Sequence, residues 1–380
     1  MTKKKVMMVF GTRPEAIKMA PLYYALKKHA DEFDTLLCVT AQHRHMLDQV
    51  LQVFNMSPDI DLNLMKPGQD LFDVTASVLL GMRKVLHEHQ PDVLLVHGDT
   101  TTAIASAIAG LYLGVQVGHV EAGLRTHDIS APFPEEFNRQ VITKAARWHF
   151  APTDLCLQNL LAEGVENSRV TVTGNTVIDA LFLVLNRIES DSARRQAIHA
   201  FLSEKLPFDW TRQRFVLITG HRRENFGDGF LNICSALKDL AARFPEVHFV
   251  YPVHLNPNVQ GPVTTILAGL TNVHLIAPLD YEPFVYLLKH CYIVITDSGG
   301  IQEEAPSLGK PVLVMRDVTE RPEAVNAGTV RLVGADHNRI VANATELLEN
   351  EISYNTMAQA HNPYGDGNAS ERIIAVLRKI

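Results

Sequence analysis

The chain reads as an α/β protein made of two doubly wound parallel sheets. Three observations predict this. Short apolar runs alternate with amphipathic helical stretches through almost all of the 380 residues. Runs of that kind, unbroken by polar residues, belong to strands covered by helices on both faces. After about six such strands the pattern passes a turn, Gly174-Asn175-Thr176, and then restarts.

In the first half the expected strands are Lys5–Phe10, Thr35–Thr40, Asp92–Val96, Val115–Val120, Trp148–Ala151 and Val170–Thr173. Helices are expected between them, among them Ala16–Lys28 and Phe72–Glu88. The second half gives Phe215–Thr219, Val247–Tyr251, Val273–Ile276, Tyr292–Thr296, Pro311–Val314 and Thr329–Leu332, with Gly229–Arg243 as a clear helix. The strand Tyr292–Thr296 runs into Asp297-Ser298-Gly299-Gly300, where two glycines permit a sharp turn, and a helix is expected over Ile301–Leu308. A strand, a glycine turn and a helix N-terminus leave backbone N–H groups free for an anion. Near the end, Asn362-Pro363-Tyr364-Gly365-Asp366-Gly367 is a turn cluster, followed by a last helix at about Ala369–Leu377.

Bulk composition excludes several classes. A hydrophobic fraction of 46% supplies an ample core. A net charge of -7 and a pI near 6.2 disfavour a nucleic-acid partner, which demands a basic surface. The residues Thr100–Val120 lack Asp, Glu, Lys and Arg, but their Thr, Ser and Gly content and the flanking Asp99 and Glu121 indicate a core helix and a buried strand rather than a membrane span. Cys38, Cys156, Cys234 and Cys291 are dispersed and form no CxxC pair, as expected of buried thiols in a reducing cytoplasm. Lys3-Lys4-Lys5 precedes an apolar run too short for a secretory signal. There is no Walker A sequence, no GxGxxG after the first strand and no HExxH, so no cofactor and no metal is expected. His43-Arg44-His45 and His87-Glu88-His89 place their imidazoles about 200° apart on a helix, which cannot share an ion.

In open α/β sheets ligands sit beyond the carboxyl ends of the strands. Five polar clusters fall there: Gly11-Thr12-Arg13-Pro14-Glu15, His97-Gly98-Asp99-Thr100, His119 with Glu121, Thr219-Gly220-His221-Arg222-Arg223-Glu224-Asn225, and Asp297–Gly300. Arg13 is either an incidental helix-start residue or an anion contact, and Lys18, one turn on and on the same side, favours the second. Asp99, Glu121 and Glu135 are either capping carboxylates or an acid/base set whose members raise one another's pKa. His221 with Arg222, and Arg321 with its neighbours, are either solvated loop residues or a phosphate clamp. Two such loops in two halves predict a ligand in a cleft between domains.

These residues also occur as ordered motifs. Phe10-Gly11-Thr12-Arg13-Pro14-Glu15-Ala16-Ile17-Lys18, His97-Gly98-Asp99-Thr100-Thr101, His119-Val120-Glu121-Ala122-Gly123-Leu124-Arg125, Pro134-Glu135-Glu136, His221-Arg222-Arg223-Glu224-Asn225, Asp297–Glu304 and Glu320-Arg321-Pro322-Glu323 follow one another in the chain. Together they closely resemble the non-hydrolysing UDP-N-acetylglucosamine 2-epimerases, over about Lys5 to Arg372. The resemblance implies a GT-B fold. Residues 1–174 would form an N-terminal Rossmann-like domain on which a C-terminal helix of about 362–380 packs back, and 175–361 a C-terminal UDP-binding domain. It further implies a homodimer interconverting UDP-GlcNAc and UDP-ManNAc for surface polysaccharide synthesis. Asp99, Glu121, Glu135 and His221 match the family's catalytic set. Arg13, Lys18, Ser298, Gly299, Gly300, Glu304 and Arg321 match its UDP-sugar contacts, with Phe284 near the uracil.

Two departures from the family pattern stand out. Leu279 replaces a common Gln before the uracil contact, which is usually backbone, so little loss is expected. Gln42, Glu135, Arg222 and His254 fit a second UDP-GlcNAc site that activates many bacterial members. There, however, His45 replaces a second Gln and Gly68 an Arg. Losing an Arg anion clamp predicts weakened or absent activation.

The implied chemistry is elimination. Loss of UDP from C1 builds oxocarbenium character and acidifies C2–H, a carboxylate takes that proton, and UDP re-adds to 2-acetamidoglucal as a proton arrives on the other face. Which carboxylate serves which face stays open. A GT-B glycosyltransferase, a hydrolysing epimerase and a non-catalytic nucleotide-sugar sensor are the rival readings. The carboxylate trio exceeds what simple transfer needs.

Overall fold

The computed structural model describes residues 3–41, 44–66 and 68–380. The chain divides into two compact units, Met1–Ala180 with Tyr364–Ile380, and Leu181–Pro363.

The first unit contains β1 (Lys4–Phe10), α1 (Arg13–Lys28), β2 (Phe33–Val39), α2 (Arg44–Val53), β3 (Ile60–Asp61), α3 (Leu71–His89), β4 (Val93–His97) and α4 (Thr101–Tyr112). It continues with β5 (Gln116–Val120), α5 (Glu135–Ala145), β6 (Trp148–Ala151), α6 (Asp154–Ala162) and β7 (Val170–Val172). The next helix, α7 (Thr176–Ser190), begins in this unit and ends in the next. The seven strands lie in the order β3-β2-β1-β4-β5-β6-β7, all parallel. The sheet exceeds the expected six strands by β3, which has only two residues and is too short to carry a periodic signal.

The second unit contains α8 (Ser192–Lys205), β8 (Phe215–Thr219), α9 (Asp228–Arg243), β9 (His248–Pro252), α10 (Pro257–Leu267), β10 (Val273–Ile276), α11 (Tyr281–His290), β11 (Ile293–Thr296) and α12 (Gly299–Ser307). It closes with β12 (Val312–Val314), α13 (Pro322–Asn326), β13 (Val330–Leu332), α14 (His337–Glu349) and α15 (Glu351–Ala358). Its six parallel strands run β10-β9-β8-β11-β12-β13. The final helix, α16 (Ala369–Leu377), packs on α1 in the first unit. Asp179 caps its start by accepting from the Ala369 and Ser370 N–H groups at 3.1 and 2.8 Å.

Both sheets are buried on both faces, which explains the continuous apolar runs. Every residue of β4 is buried. Met7, Val9, Leu94 and Val96 pack beneath α3 and α4 in the first unit. Val216, Ile218, Ile293 and Ile295 pack against α9 and α14 in the second. In each sheet the strand order reverses beside the first strand, at β1/β4 and at β8/β11. Loops at such a switch point diverge to opposite faces and leave a crevice at the carboxyl edge. Among the described residues no helix is long and apolar enough to cross a membrane.

Candidate active site

In the first unit the switch point is held by Glu15. Its Oε2 accepts from the N–H groups of Gly11 (3.1 Å) and Thr12 (2.9 Å) and from the Thr12 hydroxyl (2.8 Å), while Oε1 accepts from the Thr100 hydroxyl at 2.7 Å. One buried carboxylate thus joins the turns after β1 and β4. Burial pushes its pKa up to about 7 against those hydrogen bonds. Sequence reasoning gave Glu15 no role; its spacing of three from Thr12, a capping box, was the available signal.

Asp99 follows β4. Thr100, not Asp99, caps α4, accepting from the Ala103 N–H at 3.1 Å. The Asp99 carboxylate is therefore free of the capping role, and Arg139 grips it instead, with Nε at 2.9 Å and an Nη at 2.7 Å from Oδ2. Burial raises the Asp99 pKa, Arg139 opposes it, and the nearby Glu121 adds to the rise.

Glu121 follows β5 with a φ of 64°, a left-handed conformation that a glutamate adopts at a cost and that recurs at functional sites. Its Oε1 accepts from Lys18 Nζ at 2.5 Å and Asn175 Nδ2 at 3.0 Å. Its Oε2 lies 3.4 Å from Nε2 of buried His97, whose pKa burial lowers to about 4, so that this imidazole is neutral. The strand-end residue His119 is a structural group: its Nε2 bonds the Gly98 carbonyl at 2.7 Å, and burial takes its pKa to about 3.

Glu135 is the first residue of α5 and is half-buried, with no side-chain hydrogen bond or ion pair among the described residues. Its neighbour Glu136 is fully buried and accepts from Thr126 N–H, Arg139 and Gln140.

Arg13 and Lys18 do not share a side of α1, which corrects the expectation. Five residues on a helix turn the side chain by about 140°. Lys18 reaches Glu121, whereas Arg13 has no ion pair among the described residues. The structure thus gathers Glu15, Lys18, Asp99 and Glu121 at one sheet edge.

In the second unit the hydroxyls of Thr219 and Thr296 meet at 2.6 Å across β8 and β11. Fully buried Asp297 then accepts from the N–H groups of His221 and Arg222, each at 2.8 Å, and fixes the turn after β8. His221 remains substantially exposed, with Nδ1 3.4 Å from Asp297 Oδ1. Burial lowers its pKa while Asp297 opposes the change. Its ring stacks on His254 with centroids 5.5 Å apart.

The helix after β11 begins at Gly299 rather than Ile301. Ser298 is its N-cap, and neither Gly299 nor Gly300 has a positive φ. The glycines are therefore helical residues, not the sharp turn that was expected. What Gly299 requires is proximity: a Cβ there would stand 2.7 Å from an Arg321 Nη and 3.0 Å from its Cζ. The Arg321 guanidinium thus lies on the first turn of α12, held by Glu303 at 2.6 Å. Glu304 is buried, and its Oε1 accepts from the Tyr281 hydroxyl at 2.8 Å. That bond ties α12 to the start of α11, where half-buried Phe284 sits one turn on. A helix N-terminus flanked by arginine can hold a phosphate, and carboxylates behind it can receive hydroxyls.

Of the residues matched to a second ligand site, Gln42 lies outside the described residues and the His45 side chain is not described. Arg222 carries a buried Nε without a hydrogen-bond partner, His254 is exposed, and Gly68 sits in an exposed turn with a φ of 77°. Among the described residues the one group spaced for a metal ion is His29, Asp31 and Glu32. It stands at the far end of α1, and Arg378 already pairs with Glu32.

The two parallel-sheet units, each with its polar residues at a switch point, are of the GT-B class. A family model for UDP-N-acetylglucosamine 2-epimerase matches residues 25–378. A Yersinia pestis protein named UDP-N-acetylglucosamine 2-epimerase is 58% identical over 374 residues, 98% of each chain. The solved structure of UDP-GlcNAc 2-epimerase from Neisseria meningitidis bound to UDP-GlcNAc is 49% identical, with a TM-score of 0.90 over 99% of this chain and 100% of that one. An S. aureus protein solved with UDP is 44% identical, with a TM-score of 0.85 over 99% and 96% of the two chains. The chain belongs to the UDP-N-acetylglucosamine 2-epimerase family.

Proposed function

We propose that this chain is a non-hydrolysing 2-epimerase that interconverts UDP-GlcNAc and UDP-ManNAc, an isomerase supplying ManNAc units for surface polysaccharides. The observation that carries the reading is the pair of carboxylates at the ends of β4 and β5, each partly buried and each held by its own cation, Asp99 by Arg139 and Glu121 by Lys18. A sugar C2–H is not acidic until the C1–O bond has begun to break. The reaction therefore needs a diphosphate holder to receive UDP and carboxylates to move the C2 proton.

In this reading Ser298, Gly299, Gly300 and Arg321 hold the diphosphate, Glu304 faces the ribose, and Phe284 the uracil. Arg13 and His221 support the leaving phosphate. Asp99, Glu121 and Glu135 remove and return the C2 proton, and Lys18 keeps Glu121 oriented. The unusual φ of Glu121 fits a carboxylate aimed for chemistry rather than for packing.

The proposed assembly is a homodimer. Exposed Phe72, Leu80, Leu111 and Tyr112 on α3 and α4 provide apolar surface that a second copy would cover. The proposed compartment is the cytoplasm, where the four buried free thiols stay reduced.

Incubation with UDP-GlcNAc followed by anion-exchange chromatography tests the reading. UDP-ManNAc at equilibrium with UDP-GlcNAc is expected. Release of free ManNAc with UDP would move the chain to hydrolysing chemistry, and unchanged substrate would contradict the proposal.

A further inference from the structure

Helix α5 does more than deliver Glu135. Asn138 Nδ2 donates to the Asp99 carbonyl at 2.7 Å, and Arg139 grips the Asp99 carboxylate through two nitrogens. Counted from Glu135, residues three and four positions on lie within about 60° of it around a helix. Glu135 and both anchors of Asp99 therefore share one face of α5. The opposite side of the anchor is equally fixed: Arg139 Nη1 donates to Glu136 at 3.1 Å, and fully buried Glu136 takes further bonds from the Thr126 N–H and from Gln140. The Arg139 side chain is 7% exposed, so it faces no solvent and has no evident duty on the surface.

We propose that Arg139 is a positioning residue that locks Asp99 to the helix carrying Glu135, so that the two carboxylates are presented in fixed register. The proposal rests on the epimerase reading. The charged groups that face Asp99 are Arg139 on α5, Glu121 after β5 and Lys18 on α1. Arg139 hydrogen-bonds the Asp99 carboxylate directly, with Nε at 2.9 Å and an Nη at 2.7 Å, whereas Lys18 acts on it through its charge and bonds Glu121. Without it, Asp99 would keep its burial and its acidic neighbour but lose its main counter-charge. A longer, looser contact would also let Asp99 and Glu135 drift apart. That loss falls on turnover rather than on nucleotide binding, which the other unit provides.

The test compares wild type, Arg139→Met and Arg139→Lys. The readouts are kcat, KM and the pH profile of kcat/KM for UDP-GlcNAc, and a carbon-13 NMR titration of the Asp99 carboxyl in the substrate-free protein. For Arg139→Met the account expects at least a 10-fold fall in kcat and a KM within threefold of wild type. The Asp99 midpoint and the acid limb should both move up by about one pH unit or more, as loss of an adjacent opposite charge produces. Arg139→Lys keeps the charge but lacks the planar fork that holds Asp99 through two nitrogens and Glu136 through a third, and its kcat should fall between the two. An unmoved Asp99 midpoint in folded Arg139→Met overturns the proposal, as does a raised KM with intact kcat. Should the Met variant not fold, wild-type kcat in Arg139→Lys overturns it. The titration needs no turnover, so an inactive wild type would refute the epimerase reading while the titration still judged Arg139.

Discussion

Replacing Gly299 with alanine separates nucleotide binding from folding. Gly299 is already helical, so an alanine there meets no backbone strain and gains up to about 1 kcal/mol of helix propensity. The new Cβ, however, would stand 2.7 Å from one Arg321 nitrogen, 3.0 Å from Cζ and 3.3 Å from the other nitrogen, whereas ordinary contact begins near 3.4 Å. The guanidinium must retreat by the difference, and its 2.6 Å bond to Glu303 resists the move. Should Arg321 lose one charge-assisted hydrogen bond to the diphosphate, about 1.5–3 kcal/mol is forfeited. That corresponds to a roughly 10- to 150-fold weaker Kd for UDP. Isothermal titration with UDP reads the affinity, and thermal unfolding reads the stability. The expected result is a clear loss of affinity with Tm nearly unchanged. Gly300→Ala leaves Arg321 in place, since beyond the helix's own backbone its Cβ would meet only Glu304 Oε2 at 4.0 Å, so a loss of affinity there would report crowding of the diphosphate itself. A Gly299→Ala protein that binds UDP within threefold of wild type would refute the assignment of Arg321 and the start of α12 to the diphosphate.

Further predictions concern the first unit and regulation. Asp99→Asn and Glu121→Gln should each lower kcat by roughly 10²- to 10⁴-fold, the usual contribution of a proton-transferring group, while UDP affinity measured by titration stays near wild type. Glu15 ionises near pH 7 in the folded chain against 4.5 for the free side chain, so the folded state retains a proton that the unfolded state loses. Its contribution is therefore full below pH 4.5 and disappears as pH rises through 7. Glu15→Gln should flatten the fall of Tm across that window, and an unchanged slope would assign the pH dependence elsewhere. Gly68 supplies no anion clamp, so UDP-ManNAc alone should be turned over at a rate that added UDP-GlcNAc barely changes. A strict requirement for UDP-GlcNAc would overturn that expectation.

The alternation of strands and helices was legible in the sequence because both sheets are buried on two faces, which leaves uninterrupted apolar runs. The two-residue β3 escaped, since no period can show in two residues. Asp99 and Glu121 were visible as carboxylates directly after apolar strands. Their partners were not, because Arg139 and Asn175 are 40 and 54 residues away and meet them only through sheet order. Glycines mark tight places in a sequence without saying what is tight. At Gly299 the constraint is the Arg321 side chain rather than the backbone turn. Asp297 stood in a motif, but its duty to the His221 and Arg222 N–H groups depends on β8 and β11 being neighbours at the switch point.

Proton NMR of UDP-GlcNAc incubated with the protein in D2O tests the central claim most directly. The account predicts that UDP-ManNAc appears with deuterium at C2 and that recovered UDP-GlcNAc also exchanges its C2 proton, because a carboxylate takes that proton and solvent supplies the one returned. UDP-ManNAc retaining its original C2 proton, or no exchange at all, would contradict a mechanism in which carboxylates such as Asp99 and Glu121 carry the C2 proton.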